Sequence, residues 1–199
     1  MSYDRENKLK ERFNQFISSK ITGINEDYYS RLSVEDFEDI KTTLKDIHNI
    51  ITYKTTVRFI NWVSERFPYV MENYQVYLNQ VLGTKPSDNG YDLFVTGEVN
   101  VVAEIKCNKP INNGYKFGSA QKSGIVKDIR GLLDGKSKVK SLHPSTAYKF
   151  LVIYDFGDYT IEASKHLIKN LEADLKGKVE IYDGNSHFSV DKVYIVFIK

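Results

Sequence analysis

Apolar residues recur every three to four positions along the first third of the chain. Leu9, Phe13, Phe16 and Ile17 do so between Asp4 and Ile21, and Phe37, Ile40, Leu44, Ile47 and Ile51 do so after Ser33. Such spacing predicts amphipathic helices. Ser33 followed by Asp36 makes a capping pair for the second of them. A third helix is predicted over Thr55–Phe67, ended by Pro68. The period then shortens. In NYQVYLNQVL, Tyr74, Val76 and Leu78 alternate with Gln75 and Asn79, which predicts a strand, and GTKPSDNG reads as a turn. Tyr91–Val95 and Val99–Cys107 read as strands joined through Thr96-Gly97-Glu98 in a hairpin. A helix over Ala120–Leu133, a strand over Lys149–Tyr154 and a helix over Thr160–Lys176, stopped by Gly177, follow. Strands over Val179–Tyr182 and Val193–Ile198 complete the order. Helices first and strands interleaved with helices afterwards predict an α/β (α+β mixed) fold, a mixed central sheet flanked by helices. The N-terminal helical region is 1–70 and the core 71–199, together one compact domain.

The 199 residues are 41% hydrophobic, enough for one sizeable core. Lys and Arg number 28 against 26 Asp and Glu, a net charge of +2, so an anionic partner must be met by a local basic patch. The single cysteine, Cys107, excludes an intramolecular disulfide and a zinc knuckle, and suits a reducing cytoplasm. The charged opening MSYDRENKLKERF has no apolar leader, and no apolar run approaches the roughly 20 residues that span a bilayer. A cytoplasmic protein with no membrane partner is expected. The histidines are scattered, with His48 and the single Trp62 read as structural. No phosphate-binding glycine loop, nucleophile elbow or dinucleotide fingerprint occurs.

The informative residues are charges on strands that otherwise read as buried. Val101, Ala103 and Ile105 share one strand face, and Glu104 and Lys106 the other. Hairpin pairing brings Asp92 towards Glu104. Two facing carboxylates repel unless a cation lies between them, and all-oxygen ligation favours Mg²⁺ or Mn²⁺ over zinc. A lysine beside such a pair can orient or deprotonate water, a combination suited to phosphodiester hydrolysis. The bland alternative is an exposed sheet face, because acid-x-Lys is a cheap pattern. It occurs again at Glu6–Lys8, Asp39–Lys41, Asp134–Lys136 and Asp174–Lys176, which read as solvated ion pairs.

Asp92, Glu104-Ile105-Lys106, the helix after them and the next strand resemble the PD-(D/E)xK nuclease superfamily, over roughly Lys85–Tyr154. The resemblance implies a restriction-endonuclease-like fold, with Asp92, Glu104 and the Ile105 backbone carbonyl binding Mg²⁺ (Mn²⁺ substituting) and Lys106 serving the attacking water. It also implies accessory roles for Gln121 on the following helix and for an acid from an earlier helix, Glu65 or Glu72. Tyr91 stands where many members have proline. The expected activity is Mg²⁺-dependent cleavage of DNA, of restriction or phage-defence type, by a homodimer. The alternatives are a non-catalytic nucleic-acid- or protein-binding member of the fold, and an RNase or structure-specific nuclease. Lys109, Lys116 and Lys122, interleaved with Tyr115 and Phe117, are the candidate DNA contacts. Lys136–Lys140 reads as a solvated turn.

Overall fold

The structure, a computed structural model, describes residues 4–84, 90–111, 114–139, 142–185 and 187–199. Most of the turn expected in GTKPSDNG lies outside these residues. The chain divides into two compact units, Met1–Ile47 and His48–Lys199.

In the first unit, helix α1 (Arg5–Ile17) begins at an Asp4 cap that accepts the Asn7 N–H. A π-helical turn, Ser18–Thr22, prolongs it. The rings of Phe13, Tyr29 and Phe37 meet edge-on or tilted, with centroids 5.2–6.4 Å apart. Asn14 donates to Asp27 and accepts from the Tyr29 N–H, which fixes the intervening loop. Ser33 and Asp36 form the expected reciprocal cap at the start of helix α2 (Val34–Ser64).

Helix α2 corrects the expectation of a separate helix over Thr55–Phe67. The β-branched threonines near its middle do not break it, because Thr55 and Thr56 return their hydroxyls to the carbonyls of Ile51 and Thr52, each at 2.8 Å. The chain turns at Phe67, and Pro68 opens helix α3 (Pro68–Glu72) instead of merely ending a helix. A second correction concerns Tyr74–Gly83, which is helix α4 and not a strand. Its buried residues are Tyr77 and Val81, four apart, while Val76 and Leu82 face outward. The alternation of Tyr74, Val76 and Leu78 is therefore incidental to a helical stripe. Among the described residues no helix is long and apolar enough to cross a membrane.

The second unit is built on a five-stranded mixed sheet of β1 (Leu93–Val95), β2 (Val101–Lys106), β3 (Tyr148–Tyr154), β4 (Val179–Ile181) and β5 (Val193–Ile198), in the order β1-β2-β3-β5-β4. The β1–β2 pair is antiparallel, as the hairpin reading required, and the other pairs are parallel. Helices α5 (Ser119–Asp134) and α6 (Asp158–Lys169) follow β2 and β3. Helix α6 ends seven residues before the expected Lys176, its last carbonyls meeting the Asn170 N–H. Leu171 and Leu175, beyond the helix, remain buried.

Each sheet face has its own core. Ala103, Ile105, Phe150 and Val196 pack with Phe59, Ile60 and Val63 of α2 and with Tyr77 and Val81 of α4. Val102, Leu151, Ile153 and Ile195 pack with Ile125, Ile129 and Leu132 of α5 and with Ala163 and Leu167 of α6. Trp62 is half-buried against Phe59 and Phe150, with the Arg66 guanidinium 3.9 Å from its ring centre.

Candidate active site

The registers Leu93↔Ala103 and Val95↔Val101 put Asp92, one step before β1, opposite Glu104. An Asp92 carboxylate oxygen accepts the Ile105 N–H at 2.7 Å. This bond extends the ladder beyond the last strand pair and fixes the aspartate at the mouth of the hairpin. In an extended strand, N–H and C=O of one residue point to the same edge, so the Ile105 carbonyl faces the Asp92 side as well. Glu104 lies under α5 and is 5% exposed.

Lysines meet the acids. Lys136 pairs with Glu104, and Lys106 pairs with Asp128 of α5. Lys136 also donates to the Gly90 carbonyl at 2.9 Å and lies 5.4 Å from the centre of the Tyr91 ring. Lys136 was expected in a solvated turn; it points inward. Gly135, at φ 93°, allows the reversal that sends it back along α5. Gly131 leaves room for its stem, since a Cβ there would be 3.2 Å from Lys136 Cε.

Burial, and then the charge of Asp92, push the Glu104 carboxyl up to about 7; Lys136 opposes that shift. Burial likewise raises Asp92, against the Ile105 N–H and the fields of Lys106 and Lys136. At both carboxyls burial outweighs the nearby lysines. Among the described residues no group of three or more His, Cys, Asp or Glu side chains could hold a metal. Two carboxylates and one carbonyl nonetheless fit a small hard cation such as Mg²⁺, which keeps several waters and takes further oxygens from a substrate phosphate.

Gln121 comes to this place too. Its side chain accepts the Gly118 N–H at 2.9 Å, capping α5, and donates to the Lys109 carbonyl at 3.0 Å. With Lys106, Asn108, Ala120, Gly124 and Ile125 it lines a cleft of about 260 Å³. Glu65 is exposed and pairs with Arg66 at 3.5 Å, and Glu72 is exposed. Neither is among the charges that act on Asp92 or Glu104. Lys109 and Lys116 are exposed on the segment entering α5, and Lys122 is exposed in the first turn of the helix. Lys116 and Tyr115 line a second cleft, of about 340 Å³, with Lys165, His166 and Lys169 of α6. His48 is exposed on α2.

Sequence reasoning missed Asp128 and Lys136. The available signal was weak: two glycines, Gly131 and Gly135, four apart at a helix end, immediately before a lysine. No protein family, curated protein or solved structure matches the chain.

Proposed function

We propose that the protein is a Mg²⁺-dependent phosphodiesterase acting on nucleic acid, an endonuclease of restriction-endonuclease-like fold with DNA as its substrate. The observation that carries the reading is the facing pair Asp92 and Glu104, the glutamate buried under α5, with Lys106 two residues on from Glu104 at the edge of a cleft.

Asp92, Glu104 and the Ile105 carbonyl hold the cation. When bound, Mg²⁺ supplies positive charge to the phosphate oxygens in the transition state. Lys106 hydrogen-bonds and orients the attacking water from the cleft side, and Asp128 holds the lysine in place. Gln121 fixes the start of α5, so that the cleft keeps its width. Lys109, Lys116 and Lys122 receive the phosphate backbone outside the cleft. One site handles one strand at a time, and a two-fold homodimer presents two sites to the antiparallel strands of a duplex.

Purified protein incubated with plasmid, linear DNA and RNA, each with Mg²⁺ or EDTA, tests the proposal. Mg²⁺-dependent cleavage of DNA is expected. Cleavage of RNA alone reassigns the substrate, and retention of DNA without cleavage leaves a binding protein.

A further inference from the structure

The ion pair between Lys136 and Glu104 puts a cation where the proposed function needs one. Lys136 is no stray surface lysine. Its side chain is 21% exposed, against 6% for that of Glu104. Three features seat it: the left-handed turn at Gly135, the space beside Gly131, and the Gly90 carbonyl that takes a second hydrogen bond. Gly90 opens the segment leading to Asp92, so the one ammonium ties the approach to one carboxylate onto the other. The Tyr91 hydroxyl donates to the Gly131 carbonyl at 3.2 Å, which closes this segment against α5.

An ammonium on the glutamate and a divalent ion on the same glutamate repel each other across a poorly screened, largely buried space. They cannot both be held there at full strength. We infer that Lys136 is a built-in counter-ion which occupies Glu104 in the metal-free protein and competes with the divalent cation for it. The inference rests on the metal-binding reading of Asp92 and Glu104. It adds that metal loading includes a displacement, in which the Lys136 ammonium leaves Glu104. By linkage, whatever holds Lys136 down weakens the cation by the same factor.

The test is Mg²⁺ affinity in the absence of nucleic acid, measured by calorimetry and by the Mg²⁺ dependence of the melting temperature. The proteins are wild type, Lys136→Gln, Lys136→Arg and Gly131→Ala, each stripped with EDTA and dialysed. Lys136→Gln removes the competing charge, and about tenfold tighter Mg²⁺ binding is expected. Gly131→Ala keeps the charge but sets a Cβ 3.2 Å from Lys136 Cε, which disfavours the ion-paired pose, and an increase in the same direction is expected. Lys136→Arg retains a cation and stays near wild type. A protein that binds Mg²⁺ only after Lys136→Gln also supports the inference. If wild type binds Mg²⁺ and Lys136→Gln and Gly131→Ala bind it equally or more weakly, Lys136 is a structural partner, and the inference fails while the phosphodiesterase reading stands. If none of the four binds Mg²⁺ and wild type cleaves nothing, both fail together.

Discussion

The two faces of β2 make opposite use of one short strand. Towards α2, Val101, Ala103 and Ile105 meet Phe59, Ile60, Val63 and Phe150 in an apolar cluster. Towards α5, Val102 is followed by Glu104 and Lys106, each closed by an ion pair to a residue on or just after α5. An aliphatic pair in those positions costs no desolvation, whereas buried charges do, and their mutual attraction repays the cost only in part. The α5 face therefore carries groups that stability alone does not explain. The α2 face holds the strand rigid, so that those groups stay in register.

Several substitutions pull the two faces apart. Asp92→Ala is expected to reduce Mg²⁺-dependent cleavage to the EDTA background while the melting curve stays cooperative, since the aspartate serves the α5 side of the strand. On the opposite face Ile105→Ala, at a residue 4% exposed, should cost about 2–5 kcal/mol in denaturant unfolding through lost burial and a cavity. Lys106→Arg reverses that pattern. Its planar fork keeps the charge but not the reach. Single-turnover cleavage should fall at least about a hundredfold, with stability changed by less than about 1 kcal/mol. A rate within a few-fold of wild type reduces Lys106 to an ion-pair partner of Asp128.

A smaller effect follows from Glu104 itself. Burial, and then the charge of Asp92, push its carboxyl from the ordinary 4.5 up to about 7. Between those values the native state holds a proton that the unfolded state has lost, so stability is present below about pH 4.5 and declines as pH rises towards 7. The metal-free protein should lose on the order of 2 kcal/mol over that window. Unfolding of wild type and Glu104→Gln across the window checks this, because the glutamine removes the glutamate's share of the slope. Equal slopes mean that the glutamate is not held against its charge.

The strands that build the site were legible because their chemistry is local. Period two, the Gly97 turn and the switch from Val102 to Glu104 are all readable along β1 and β2. Helix α4 was not, since Tyr74, Val76 and Leu78 fit either period and only packing shows that Tyr77 and Val81 face the core. Ion-pair partners were the least legible feature. In the acid-x-Lys triplets the lysine takes another acid: Lys8 takes Glu11, Lys41 takes Glu38, Lys106 takes Asp128 and Lys136 takes Glu104, while Asp174 takes Arg130. Residues two apart on a helix do not face each other. Two apart on a strand they share a face, and there the sheet and α5 decided the partners.

The most direct measurement is cleavage of plasmid DNA by wild type and Glu104→Gln side by side, at equal folded concentration, with Mg²⁺ and with EDTA. Glutamine keeps the size of the side chain and removes the charge that holds the cation. Cleavage by wild type with Mg²⁺ alone, and none by Glu104→Gln in either condition, is the expected result. Equal cleavage by the two proteins, or by wild type in EDTA, contradicts a metal-dependent site on the α5 face of β2.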